Sequence, residues 1–82
     1  METINFTEIA AELNKTNFDL NRVNKIWAII YESFEFMEDC WDYEEGVEAA
    51  CITFDNYSNK LTADEIDMID YAMVEIMCWE KE

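Results

Sequence analysis

The sequence predicts an all-α domain: a compact bundle of three to four helices packed around one long central helix. Three observations carry that expectation. Apolar residues recur at alternating spacings of three and four along Leu20, Val23, Trp27, Ile30, Phe34, Met37 and Trp41, the period of one helix face. Helix-start signatures stand ahead of two further apolar runs, at Asn5 and at Thr62. Proline is absent and Gly46 is the only glycine, so no linker or Gly-rich turn divides the chain, and residues 1–82 read as a single domain. A chain of 82 residues buries only a little over ~60% of the surface it exposes when unfolded, so its core must be used efficiently. With 51% apolar and 15% aromatic residues it has the means to fold despite a net charge of −15.

Polar clusters at Asn14-Lys15-Thr16-Asn17 and at 55–60, with a softer one around Asp42 to Gly46, mark four segments. In the first, Asn5 and Glu8 stand at capping-box spacing and Ile4 and Ile9 at the positions of a hydrophobic staple. Phe6, Ile9, Ala10 and Leu13 then give a short amphipathic helix. Below ~12 residues such a helix is marginal alone and must dock on the rest.

The second segment is the long helix, capped among Thr16, Asn17 and Asp19 and reaching at least Glu38, roughly 30 Å at 1.5 Å per residue. A second apolar row, Ile26, Ile29, Phe36 and Cys40, widens its stripe and argues for a central position. Trp41 keeps the register and reads as the end of the core stripe, while Tyr43 reads as a surface residue.

The third segment, from near Gly46, places Val47, Ala50, Cys51, Phe54 and Tyr57 at helical spacing. Composition alone makes residues 50–54 a candidate strand, but no second strand offers itself for pairing, so helix is favoured and a small hairpin or edge element is the alternative. The fourth segment opens on a T-x-x-E capping box, Thr62 and Glu65, with Leu61 and Ile66 at the staple positions. Asp64, Glu65 and Asp67 put negative charge at the positive end of the helix dipole. Ile66, Ile69, Met73 and Ile76 form its core stripe, with Met68, Ala72 and Trp79 beside it.

Charge is the most unusual property of the chain. Glu32, Glu35, Glu38, Asp39, Asp42, Glu44, Glu45 and Glu48 fall in one stretch interleaved with Phe34, Phe36, Met37, Trp41 and Tyr43, inside a gap free of Lys and Arg that runs from Lys25 to Lys60. Continued as one helix, Glu35, Glu38, Asp42 and Glu45 would share a face, with neighbouring carboxylates ~5–6 Å apart. That pitch is comparable to the ~3.4 Å axial spacing of phosphates on one nucleic-acid strand once its helical path is added. A solvated helix face usually mixes both signs, because like charges at i, i+4 cost a few tenths of a kcal/mol. Here the mixing is missing. Such a surface excludes nucleic acid and anionic membranes as direct partners and fits a basic protein surface.

Other chemistries find little support. Histidine is absent, and no P-loop or G-x-S-x-G is present. Calcium-loop registers starting at Asp55 or Asp64 fail at the required ligand positions. Cys40, Cys51 and Cys78 are odd in number and widely spaced, so buried free thiols are a better reading than disulfides or a metal site. The expectation is a protein that is not an enzyme, with no cofactor and no metal. The longest apolar run, Ile26 to Tyr31, is far short of the ~20 residues that cross a bilayer, and no leader is evident, so the expected location is cytoplasmic.

In size, charge and lack of catalytic motifs, the chain resembles the small acidic anti-CRISPR and DNA-mimic inhibitors encoded by phages and mobile elements. The stretch from Glu32 to Glu48 and the acidic start of the last helix, Asp64, Glu65, Asp67 and Asp70, carry the resemblance, which is one of class and not of motif. It implies a stoichiometric blocker that occupies the basic groove of a nucleic-acid-handling enzyme, in the host cytoplasm if phage-encoded. The candidate contact set is Glu32, Glu35, Glu38, Asp39, Asp42, Tyr43, Glu44, Glu45, Glu48, Asp64 and Asp67. The alternative is a helical adaptor or regulatory subunit that binds a partner protein through an apolar aromatic patch, its acids serving solubility. The apolar content also allows a homodimer, against which charge repulsion argues unless the interface is strongly apolar.

Overall fold

The structure, a computed structural model, describes residues 4–77. Within them lie four helices: α1 (Phe6–Leu13), α2 (Leu20–Cys40), α3 (Tyr43–Ser58) and α4 (Ala63–Met77). Residues 50–54 are helical, inside α3. The described residues contain no strand and no helix long and apolar enough to cross a membrane.

Each start is set locally. Asn5 and Asp19 adopt extended backbone, and their side chains accept the N–H groups of Glu8 and Arg22, so both act as N-caps. The first helix stops at Asn14, which takes the left-handed conformation (φ 59°) that Asn tolerates and returns its N–H to Ala10 and Ala11. At α4 the capping box closes in both directions. Glu65 N–H donates to Thr62 Oγ1 at 3.1 Å, and Thr62 N–H donates to Glu65 Oε1 at 2.9 Å.

Helices α2 and α3 form an antiparallel hairpin, and α1 and α4 cover the N-terminal part of it. The core takes Phe6, Ile9 and Ala10 from α1, and Val23, Ile26, Trp27, Ile30, Tyr31 and Phe34 from α2. Ala50 and Phe54 of α3 and Met68, Ile69, Ala72 and Met73 of α4 complete it. Met68 and Ala72, beside the predicted stripe, therefore widen the core. Trp79 and Cys78 lie outside the described residues. An aromatic series follows α2, Phe6 to Trp27 to Tyr31 to Phe34 to Tyr43, with successive ring centroids 5.7–6.0 Å apart. The buried indole N–H of Trp27 has no acceptor among the described residues, a cost of about 1–3 kcal/mol that its packing must outweigh.

The predicted stripe of α2 holds in its middle and fails at its ends. Leu20, Phe36, Cys40 and Trp41 are exposed, against the expectation that Phe36 and Cys40 widen the core and Trp41 ends it. With 21 residues α2 is about 30 Å long, and its last turns have α3 beside them on one side only, which leaves Phe36, Cys40 and Trp41 exposed. Cys40 is correspondingly an exposed thiol instead of a buried one, while Cys51 is partly buried.

The break expected around Asp42 to Gly46 falls at Trp41 and Asp42, and Gly46 has a different role. It does not break the chain; it lies buried in the first turns of α3 with ordinary helical backbone. A Cβ at this position would stand 2.8 Å from the carbonyl oxygen of Phe34 and 3.1 Å from Cβ of Glu38. The lone glycine is there so that two helices can touch.

Candidate functional site

The acidic stretch is a helical hairpin turn. The second helix ends at Cys40, Trp41 leaves helical geometry at φ −127°, ψ −90°, and Asp42 caps the third helix by accepting Glu45 N–H at 2.9 Å. The carboxylates therefore do not continue along one helix. Glu32, Glu35, Glu38 and Asp39 are carried by the last turns of α2, and Glu44, Glu45 and Glu48 by the first turns of α3, running back alongside. Asp42 sits between them. The sequence signal for this break was the spacing of Asp42 and Glu45, a cap pattern concealed within a run of acids.

All eight carboxylates of the turn are exposed. Among the described residues none of them meets a basic side chain within ion-pairing distance. Helix ends add little net field here, because the negative end of α2 and the positive end of α3 stand side by side. Individually they act in opposite directions. Glu38 and Asp39 are disfavoured at the C-terminal end of α2, which has no basic residue in its last turn, whereas Glu44 and Glu45 are favoured at the N-terminal end of α3.

Apolar surface accompanies the charge. Trp41 is 72% exposed and Phe36 64%. Tyr43 is partly exposed, as expected of a surface residue, yet its ring packs edge-on against Phe34 at 5.7 Å, which ties the turn to the core. On one flank Met37, Ala49 and Ile52 line a shallow groove of about 370 Å³ bordered by Glu45 and Glu48. Phe36, Trp41 and Ile52 were absent from the contact set read from sequence, because their register assigned the first two to the core.

Asp64 and Asp67 lie elsewhere, near the N-terminal end of α2. Asp64 accepts the N–H groups of Thr16 and Asn17 at 3.2 and 2.9 Å, and these bonds, aided by the Lys15 charge, hold its carboxyl below the usual range. Asp67 pairs with Lys15 at 2.7 Å, a hydrogen bond that raises the lysine's pKa. Both are engaged in joining α4 to the loop between α1 and α2. Their neighbour Glu65, grouped by sequence with the outward acids, is fully buried. It accepts from Asp19 N–H at 2.6 Å, from Thr62 N–H, and from the Arg22 guanidinium at 2.8–3.2 Å. Burial pushes its pKa up, and the Arg22 and backbone N–H bonds outweigh that to leave it lowered. The positive ends of α2 and α4 thus converge on one buried carboxylate. The candidate residues consequently form two separate groups, one at each end of α2.

Among the described residues no cluster of three or more His, Cys, Asp or Glu is arranged to hold a metal ion. The Cys51 thiol is pushed up by burial and by the carboxylates of Asp55, Asp70 and Glu48, which disfavours the thiolate a nucleophile needs. No protein family, curated protein or solved structure matches the chain.

Proposed function

We propose that this protein is a non-enzymatic, stoichiometric inhibitor of the anti-CRISPR or DNA-mimic kind, which sets the acidic turn between α2 and α3 into the basic nucleic-acid groove of a nucleic-acid-handling enzyme. The observation that carries this reading is the eight exposed carboxylates of the turn, none of them paired with a basic side chain among the described residues. Two antiparallel helices present them on a frame braced by the core, so the charges meet a partner without first having to be ordered. Lys and Arg that would otherwise contact phosphates meet carboxylates instead, and occupation of the groove excludes the nucleic acid. Asp64, Glu65 and Asp67 serve the fold in this reading, and the contact set contracts to Glu32 through Glu48.

A second reading, an adaptor that binds through apolar contacts, is favoured by the exposure of Phe36, Trp41 and Ile52. Capture of partners from a cell lysate at rising salt and with competing nucleic acid separates the two. Electrostatic mimicry predicts that both treatments release the partner, and retention at high salt assigns the contact to the apolar surface. The combined variant Glu35→Lys, Glu38→Lys, Glu45→Lys, which spares the Asp42 cap, should abolish capture. Unchanged capture by that variant would remove the turn from the contact.

A further inference from the structure

Three of the five basic residues of this acidic chain, Arg22, Lys25 and Lys60, border one groove. It lies between the start of α2 and the end of α3, measures about 560 Å³, and has an apolar floor of Ile26, Ile29 and Tyr57. Glu65 engages Arg22, and Lys60 Nζ stands 5.7 Å from the centroid of the Tyr57 ring. Neither Lys25 nor Lys60 has an ion-pair partner among the described residues. The groove lining holds no carboxylate, and the nearest acid of the block, Glu32, stands about 10 Å along the helix from Lys25, just over one screening length in physiological salt, so the lining cations dominate at contact range.

The opposite end of the molecule carries the complement. Trp41 is 72% exposed and stands among Asp39, Asp42 and Glu44. We propose that the groove receives Trp41 of a second copy of this chain, so that the protein associates head to tail. The indole lies on Ile26, Ile29 and Tyr57, the ammonium groups of Lys25 and Lys60 meet its face, and the flanking carboxylates pair with the same cations. Charge selects this geometry over a symmetric one. Tip-to-tip pairing would press two acid blocks together, whereas head-to-tail contact keeps each seated tip about 20 Å along α2 from the host copy's own tip, more than two screening lengths in physiological salt. The contact joins two different surfaces and therefore does not close at two copies.

Mixing two half-blocked variants tests this with the purified protein alone, independently of any inhibited enzyme. Lys25→Glu, Lys60→Glu removes the groove and keeps the tip; Trp41→Ala, Glu44→Lys removes the tip and keeps the groove. Helical circular dichroism checks that both remain folded. In sedimentation equilibrium up to roughly 1 mM, a range that detects even weak contacts, the parent chain should rise above its 9.8 kDa mass with concentration. Each variant alone should stay monomeric, and their equimolar mixture should reach twice that mass and no more. A monomeric parent chain, variants that still self-associate, or a mixture that stays monomeric would each overturn the proposal. So would uptake of a small aromatic carboxylate such as indole-3-acetate with no rise in mass, which would assign the groove to a free anion.

Discussion

At the start of α4, Asp64, Glu65 and Asp67 hold backbone N–H groups, Lys15 and Arg22, and their charge is consumed in joining α4 to the loop ahead of α2. At the α2–α3 turn, eight carboxylates face solvent, and among the described residues only Asp42, through its cap, has a hydrogen-bonded role. Both regions look alike as strings of acids. The difference shows that an acidic residue is structural when donors converge on it and available when they do not, and that among the described residues the paired cations, Lys15 and Arg22, stand at one end of α2.

Glu65→Ala tests that contrast most severely. It orphans the N–H groups of Thr62 and Asp19 at two helix starts, and should cost on the order of 3 kcal/mol in urea unfolding. Alanine at Glu35 or Glu44 should move the same measurement by less than about 0.5 kcal/mol. Equal losses at the two ends would erase the distinction.

Gly46→Ala probes the frame of the exposed region. Its methyl group would meet the carbonyl oxygen of Phe34 at 2.8 Å, and forcing the backbones apart should cost about 1–3 kcal/mol by thermal or urea unfolding. A neutral substitution would mean that the two helices are not held at contact distance.

Acid titration should expose the stabilising role of the acids at the start of α4. Glu65 and Asp64 have folded-state pKa values below their ordinary ones, so their stabilisation is complete above about pH 4.5 and is lost as pH falls through the folded values. Glu65→Gln should therefore flatten the acid limb of stability against pH, and a limb unchanged in that variant would place the acid sensitivity elsewhere.

The smallest effects concern the helix ends. Glu38→Lys or Asp39→Lys should raise stability by about 0.3–1 kcal/mol, since a cation suits the C-terminal end of α2, while Glu44→Lys should lower it by a similar amount. Melting curves at low ionic strength would resolve the pair. Identical signs would mean that net charge, and not position, governs the turn.

Where local rules act, the sequence was readable. The caps at Asn5, Asp19 and Thr62 and the buried middle of the α2 stripe follow from spacing and side-chain chemistry within one turn. Features that depend on what lies opposite were not readable. Periodicity carried Trp41 into the core, because it says nothing of how far the neighbouring helices extend. Glu65 was legible as the capping-box partner of Thr62, but its burial was not, because Asp19 and Arg22, which also engage it, are more than forty positions away. Gly46 marked only the neighbourhood of the α2–α3 break, since its role depends on Phe34 and Glu38 of the facing helix.

The close crossing at Gly46 also sets how concentrated the negative charge of the turn can be. Helices usually pack 8–10 Å apart, and a missing side chain at the crossing favours the near end of that range. Carboxylates on α2 and α3 are brought correspondingly closer, and the potential just outside the turn rises as they crowd together. One absent methyl group thus acts as a spacer in reverse. A larger residue there would widen the gap and dilute the field that an approaching lysine or arginine meets, with every carboxylate still in place.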